Sequence, residues 1–149
     1  MVSEFDFHYN FKTYPDESHA SITAVGFLEG IKFTFKGYNP ETTRGIDDVF
    51  KMEEHYTALS ERFGYEIQPS EDYYYRFVRE QIAERDLDYA FYILQRYNEQ
   101  YPSSSQLYLC YADAHLLNGD LATAREYYVK LKATDPSNEN LDRLIKALK

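Results

Sequence analysis

His19 lies in the run Tyr14-Pro15-Asp16-Glu17-Ser18-His19-Ala20-Ser21-Ile22. An imidazole beside carboxylates has the makings of a general base. A base of this kind needs a nucleophile to deprotonate. In hydrolases built on G-x-S-x-G, the Ser stands on a sharp strand-to-helix turn and its base arrives later in the chain from a loop. The six glycines here are Gly26, Gly30, Gly37, Gly45, Gly64 and Gly119, and no two of them bracket a serine in that way. The run therefore reads as the last part of a catalytic apparatus without its other members. Asp16 and Glu17 could pair with His19 and raise its pKa, although adjacent loop carboxylates are commonly just solvated.

His8, His55 and His115 are scattered, and none belongs to an H-E-x-x-H pair or a Cys/His cluster. Glu53-Glu54-His55 resembles half of a metal motif, but a solvated helix face explains it as well. No metal site is expected, no Gly-rich phosphate loop is present, and no cofactor is implied. Cys110 is the one cysteine, so an internal disulfide is impossible. Its neighbours Tyr108, Leu109 and Tyr111 mark it as a buried thiol that packs as a small apolar group.

Around His19, residues 3–12 alternate well enough for a strand, with Phe5, Phe7, Tyr9 and Phe11 on one side. A Tyr-Pro loop follows, then the acid and His run, then an apolar segment ending Gly30-Ile31-Lys32-Phe33-Thr34-Phe35. Residues 31–36 alternate locally like a strand, while Val25, Leu28, Ile31 and Phe35 fit a helix over about 22–36. This order resembles the C-terminal end of an esterase family of α/β-hydrolases, the enterochelin-esterase-like and S-formylglutathione-hydrolase-like proteins. There the last sheet strand leads to a His loop and then a helix ending Gly-Leu/Ile-Arg/Lys-Phe. The likeness continues through His55-Tyr56 and Leu59-Ser60-Glu61-Arg62-Phe63-Gly64-Tyr65. It implies helix for the ambiguous segment and the role of catalytic base for His19. It departs from the family at Ala20, where Gly is usual, and in lacking the nucleophile elbow, oxyanion hole and acid. Ester hydrolysis would belong to a complete hydrolase, and the chain alone is expected to be inactive.

The second half carries a repeat. Residues 71–104 and 105–138 align at a spacing of thirty-four without a gap. Tyr74 falls on Tyr108, Phe77 on Tyr111, Asp86 on Asp120, Ala90 on Ala124, Leu94 on Tyr128 and Pro102 on Pro136. Expected helices span about 71–84, 87–100, 105–118, 121–133 and 138–148, the last a capping helix. Small Ala90 and Ala124 would admit close helix approach, Gly119 a left-handed cap, and Pro102 and Pro136 a stop. Ser103 and Gln106 have capping-box spacing. Upstream, Ile46, Val49, Phe50, Tyr56, Leu59 and Phe63 suggest one more apolar helix face, closed by Gly64.

The period and the positions of these residues resemble tetratricopeptide repeats. Against that family, Arg85 replaces a usual Gly, and His115 takes a packing position usually held by Tyr. The peptide-carboxylate clamp of some members uses Lys and Asn on the inner helices; Tyr75, Arg79, Leu109 and Asp113 stand at the matching places. Binding of a chaperone tail is therefore not expected. Arg76 and Arg79 become the candidates for contacting an acidic partner, and the inner face is a candidate peptide or protein surface.

The chain is expected to be mainly α. Residues 1–43 would form a hydrolase-like strand, His loop and helix, 44–70 a connecting helix and turn, and 71–149 two repeats plus the cap. The formal net charge is −9, with 12 acidic and 6 basic residues in 1–70 and 13 and 10 in 71–149. That balance argues against nucleic acid and against an anionic membrane surface. No stretch approaches the length of a membrane span and no signal peptide is expected, which leaves the compartment unassigned. The apolar surface of residues 1–40 would be covered by a hydrolase portion in cis or by a homodimer. A free-standing binding module with an N-terminal docking arm is the alternative to the hydrolase reading.

Overall fold

The computed structural model describes residues 9–38 and 45–148. They hold seven helices and no strand: α1 (His19–Thr34), α2 (Val49–Phe63), α3 (Glu71–Glu84), α4 (Leu87–Gln100), α5 (Ser105–Leu117), α6 (Leu121–Thr134) and α7 (Glu139–Ala147). The protein is mainly α. It divides into two compact units, Met1–Gly45 and Ile46–Lys149.

In the first unit, residues 9–14 have no regular structure. The expected strand is therefore absent over 9–12, and its remainder, with Phe5 and Phe7, lies outside the described residues. Without a neighbouring strand, its backbone N–H and C=O groups would have no partners. The ambiguous apolar segment is a helix, and it begins earlier than the expected residue 22. Ser18 is its N-cap: the Ser18 hydroxyl accepts from the Ser21 N–H, and the Ser21 hydroxyl accepts from the Ser18 N–H. This reciprocal bonding satisfies two donors of the first turn. His19 is thus the first helical residue, not part of a loop. No residue of α1 is buried.

The second unit contains the core. Val49, Met52, Val78, Ile93, Leu94, Tyr97, Leu107 and Cys110 are fully buried. The buried stripe of α2 is Val49, Met52 and Leu59, with half-buried Tyr56 packed on the same cluster. Their spacing of three and four keeps one face inward. Phe50, expected on that face, lies one position round the helix and is exposed. Ile46 is buried but precedes the helix, which Asp48 caps by accepting from the Lys51 N–H. Gly64 closes the helix in the left-handed region at φ 72°.

From α3 onward each helix packs against the next, and α3 also packs against α5. Asp86 and Asp120 cap α4 and α6, accepting from the Tyr89 and Thr123 N–H groups. N-caps Ser70, Ser104 and Asn138 open α3, α5 and α7. The serine that caps α5 is Ser104, which accepts from the Leu107 N–H, and not the expected Ser103. Between the paired helices stand Arg85 at φ 62° and Gly119 at φ 82°. Both take the left-handed region, one with a Cβ and one without. Ala90 and Ala124 are fully enclosed where α4 and α6 meet their neighbours.

Candidate functional site

In the first unit, His19 is exposed at the opening of α1. It has no hydrogen-bond or ion-pair partner among the described residues, so Asp16 and Glu17 do not engage it. The nearby hydroxyls of Ser18 and Ser21 bond one another at 3.0 Å in the helix cap. Among the described residues, no arrangement for activating a nucleophile surrounds the imidazole.

In the second unit, α3 and α5 bring together most of the expected inner-face residues. Tyr75 and Arg79 are one turn apart on α3, as are Leu109 and Asp113 on α5, so each pair shares a helix face. The Arg79 Nη1 donates to Asp113 Oδ2 at 2.5 Å, and the Tyr128 hydroxyl from α6 donates to Asp113 Oδ1 at 2.7 Å. Burial is the largest influence and works against the Arg79 charge, but the Asp113 hydrogen bond, the attraction of its carboxylate and weaker contributions from Cys110 and Tyr75 together outweigh it and raise the guanidinium pKa. Burial and the same carboxylate raise the Tyr128 hydroxyl. The two charged positions, thirty-four residues apart, satisfy each other. Arg79 is therefore a structural cation before it is a ligand contact.

Tyr75 is half-buried and packs on the main core cluster. Half-buried Leu109 packs on the smaller cluster of Ala112, Tyr128 and Leu141. Arg76 belongs elsewhere. Its guanidinium lies 5.4 Å from the Tyr73 ring and 5.0 Å from Phe77, and its Nη2 donates to the Ile46 carbonyl at 3.1 Å. It pins the start of the unit to α3 and does not join the Arg79 face. The remaining site is thus an amphipathic strip, Tyr75 and Leu109 flanking a neutralised ion pair.

Cys110 is fully buried behind this strip, and burial pushes its thiol up to about 12. The thiolate needed for nucleophilic or metal chemistry is disfavoured there. His115 is half-buried among aromatic rings, 4.8 Å from Phe91, 5.9 Å from Tyr127 and 6.2 Å from Tyr111 between centroids. Its Nδ1 faces the Asp120 carboxylate at 3.3 Å, so packing and the cap of α6 account for it. Among the described residues no three potential metal ligands gather, and no helix is long and apolar enough to cross a membrane.

A second polar cluster escaped sequence reasoning. Arg96 on α4 donates from Nε and Nη2 to the two oxygens of Glu53 on α2, both at 2.9 Å, and from Nη1 to Glu99 at 3.2 Å. Nearby, the Ser60 hydroxyl accepts from the Ile67 N–H at 2.8 Å and folds the 64–69 loop onto α2. Glu53 and Arg96 are forty-three residues apart and obey no repeat spacing, so no pattern in the sequence joins them. No protein-family model, curated protein or solved structure matches the chain, so the assignment rests on this geometry.

Proposed function

We propose that the second unit is a tetratricopeptide-like interaction module that holds a peptide or protein against Tyr75 and Leu109. The observation that carries this reading is the recurrence of local geometry every thirty-four residues. It appears in N-caps Ser70, Ser104 and Asn138, in N-caps Asp86 and Asp120, and in the left-handed residues Arg85 and Gly119. Stacked repeats present side chains of successive first helices on one continuous face, a common binding surface. Because Asp113 already matches Arg79, recognition there depends on the aromatic and aliphatic flanks more than on a free cation. The test uses the full chain as bait beside a Tyr75→Ala, Leu109→Ser variant. A purified partner should bind the parent chain saturably and the variant at least about tenfold more weakly, as loss of anchor residues does. Equal binding by a variant of unchanged melting temperature would overturn the assignment of this face.

The exposed helix of the first unit favours a second reading. Ile22, Phe27, Leu28, Ile31 and Phe35 of this unit are exposed. We infer that another surface covers them. One source is the remainder of an esterase-family hydrolase, which would bring the nucleophile and oxyanion donors and use His19 as base, then as acid to the leaving alcohol. The other is a second copy of this chain. The purified chain should not hydrolyse activated esters above buffer, since among the described residues no nucleophile or oxyanion donor is arranged around His19 to form and stabilise an acyl intermediate. Hydrolysis lost on His19→Ala would contradict that. Sedimentation of the chain and of Ile31→Asp separates the two sources: a dimer that the substitution dissociates identifies the second copy, and a monomer points to the hydrolase.

A further inference from the structure

The second unit holds a cleft of about 390 Å³ walled by α2, the 64–69 loop, α3 and α4. Glu53, Glu61 and Glu66 line it against a single cation, Arg96. Arg96 is already held by both oxygens of Glu53 and by Glu99. Neither Glu61 nor Glu66 has an ion-pair partner among the described residues; Glu66 accepts one bond, from Gln68 Nε2 at 3.0 Å. The cleft therefore carries uncompensated negative charge.

The second observation is Tyr74. It is 2% exposed, with its ring stacked on Tyr97 at 5.5 Å and edge-on to Tyr101 at 6.3 Å. It also lines the cleft, where Glu53 and Arg96 are the charges that act on it most. Yet its hydroxyl makes no hydrogen bond among the described residues, whereas the buried Tyr97 beside it donates to Glu71 at 2.6 Å. The ring is buried, but the hydroxyl opens onto the cleft, where no protein group among the described residues meets it. A hydroxyl held in place by two rings and open beside carboxylates is placed to accept from a donor entering the cleft.

We propose that this cleft binds the guanidinium or ammonium side chain of an arginine or lysine presented by the partner of the interaction module. The incoming N–H groups would donate to the Tyr74 oxygen and to the Glu61 and Glu66 carboxylates, as Arg96 already does to Glu53 on the same wall. The half-buried Tyr56, which also lines the cleft, supplies a flat face for the aliphatic stem. The proposal rests on the reading of this unit as an interaction module, but uses a surface distinct from Tyr75 and Leu109.

The test is an amide-shift titration of the labelled full chain with N-acetyl-argininamide, and with N-acetyl-citrullinamide as its uncharged analogue. The arginine probe should produce saturable shifts at Ser60, Glu66 and Ile67, and citrulline should bind at least about tenfold more weakly, the loss expected for a charge-assisted contact. Tyr74→Phe, which keeps the ring stack, should weaken arginine binding severalfold. The exposed double change Glu61→Gln, Glu66→Gln should weaken it and flatten its salt dependence. Absence of saturable shifts, equal binding of citrulline, or indifference to both variants would overturn the proposal. A partner that still needs Tyr75 and Leu109 would then leave the module reading standing, whereas loss of both would remove it as well.

Discussion

Helices α1 and α4 are both rich in apolar residues, yet one buries nothing and the other buries Ala90, Ile93, Leu94 and Tyr97. The difference is arrangement. In α4 these four follow at spacings of three, one and three, so they form one stripe, and Asp88, Gln95 and Glu99 face away. In α1, Ile22, Val25, Phe27, Leu28, Ile31 and Phe33 are spread around the axis. No single neighbour could cover such a helix, and residues 9–14, without regular structure, do not. Apolar content makes a helix adhesive; a stripe makes it foldable against its own chain.

The strongest way to break this comparison is one truncation in each helix. Leu94→Ala removes a fully buried side chain and should destabilise by about 2–5 kcal/mol in urea unfolding. Leu28→Ala, at a side chain 57% exposed, should change stability by about 0.5 kcal/mol or less. Equal effects would mean that α1 is covered in solution.

The next test asks how closely α6 packs on its neighbours. Ala124 is fully enclosed, so Ala124→Leu should cost about 1–3 kcal/mol by overpacking. An unchanged melting temperature would count against close approach of α6 to its neighbours, and so against the repeat reading.

A smaller effect sharpens a second comparison, between the α3–α4 and α5–α6 turns. Arg85 and Gly119 hold the same left-handed turn, at φ 62° and 82°. A Cβ at Gly119 would meet nothing within 4 Å, so Gly119→Ala should lose stability through backbone strain alone, about 1 kcal/mol. Arg85→Gly should gain up to about 1 kcal/mol by relieving that strain, less the added entropy of the unfolded chain. If both substitutions destabilise, Arg85 contributes a contact that outweighs its conformation. A comparable effect is at the start of α5, where the Ser104 hydroxyl also bonds Glu71 and Tyr97. Ser104→Ala should cost about 0.5–2 kcal/mol and Ser103→Ala almost nothing, since only Ser104 caps the helix.

The helix boundaries of 71–134 were legible because they are set locally. A capping side chain, a left-handed residue and a following proline each act within a few residues, and they recur at one period. The neighbouring misassignments came from choosing between adjacent candidates. Ser103 and Ser104 differ only in which hydroxyl reaches the Leu107 N–H. Phe50 is expected on the core face of α2, but Met52, two positions on, is the residue that meets the core.

By itself the sequence determined that this protein is mainly helical, where its helices over 71–134 start and stop, and that Cys110 would lie in the core. These follow from caps, period and apolar spacing. Tertiary structure alone decided that Arg79 is matched by Asp113, that Arg76 turns back to Ile46, that Arg96 meets Glu53, and that Tyr74 faces a cleft with its hydroxyl unpaired. Those outcomes depend on which distant charges packing brings within hydrogen-bond range. A hydrogen bond weakens steeply with distance and angle, so no one-dimensional spacing could select them.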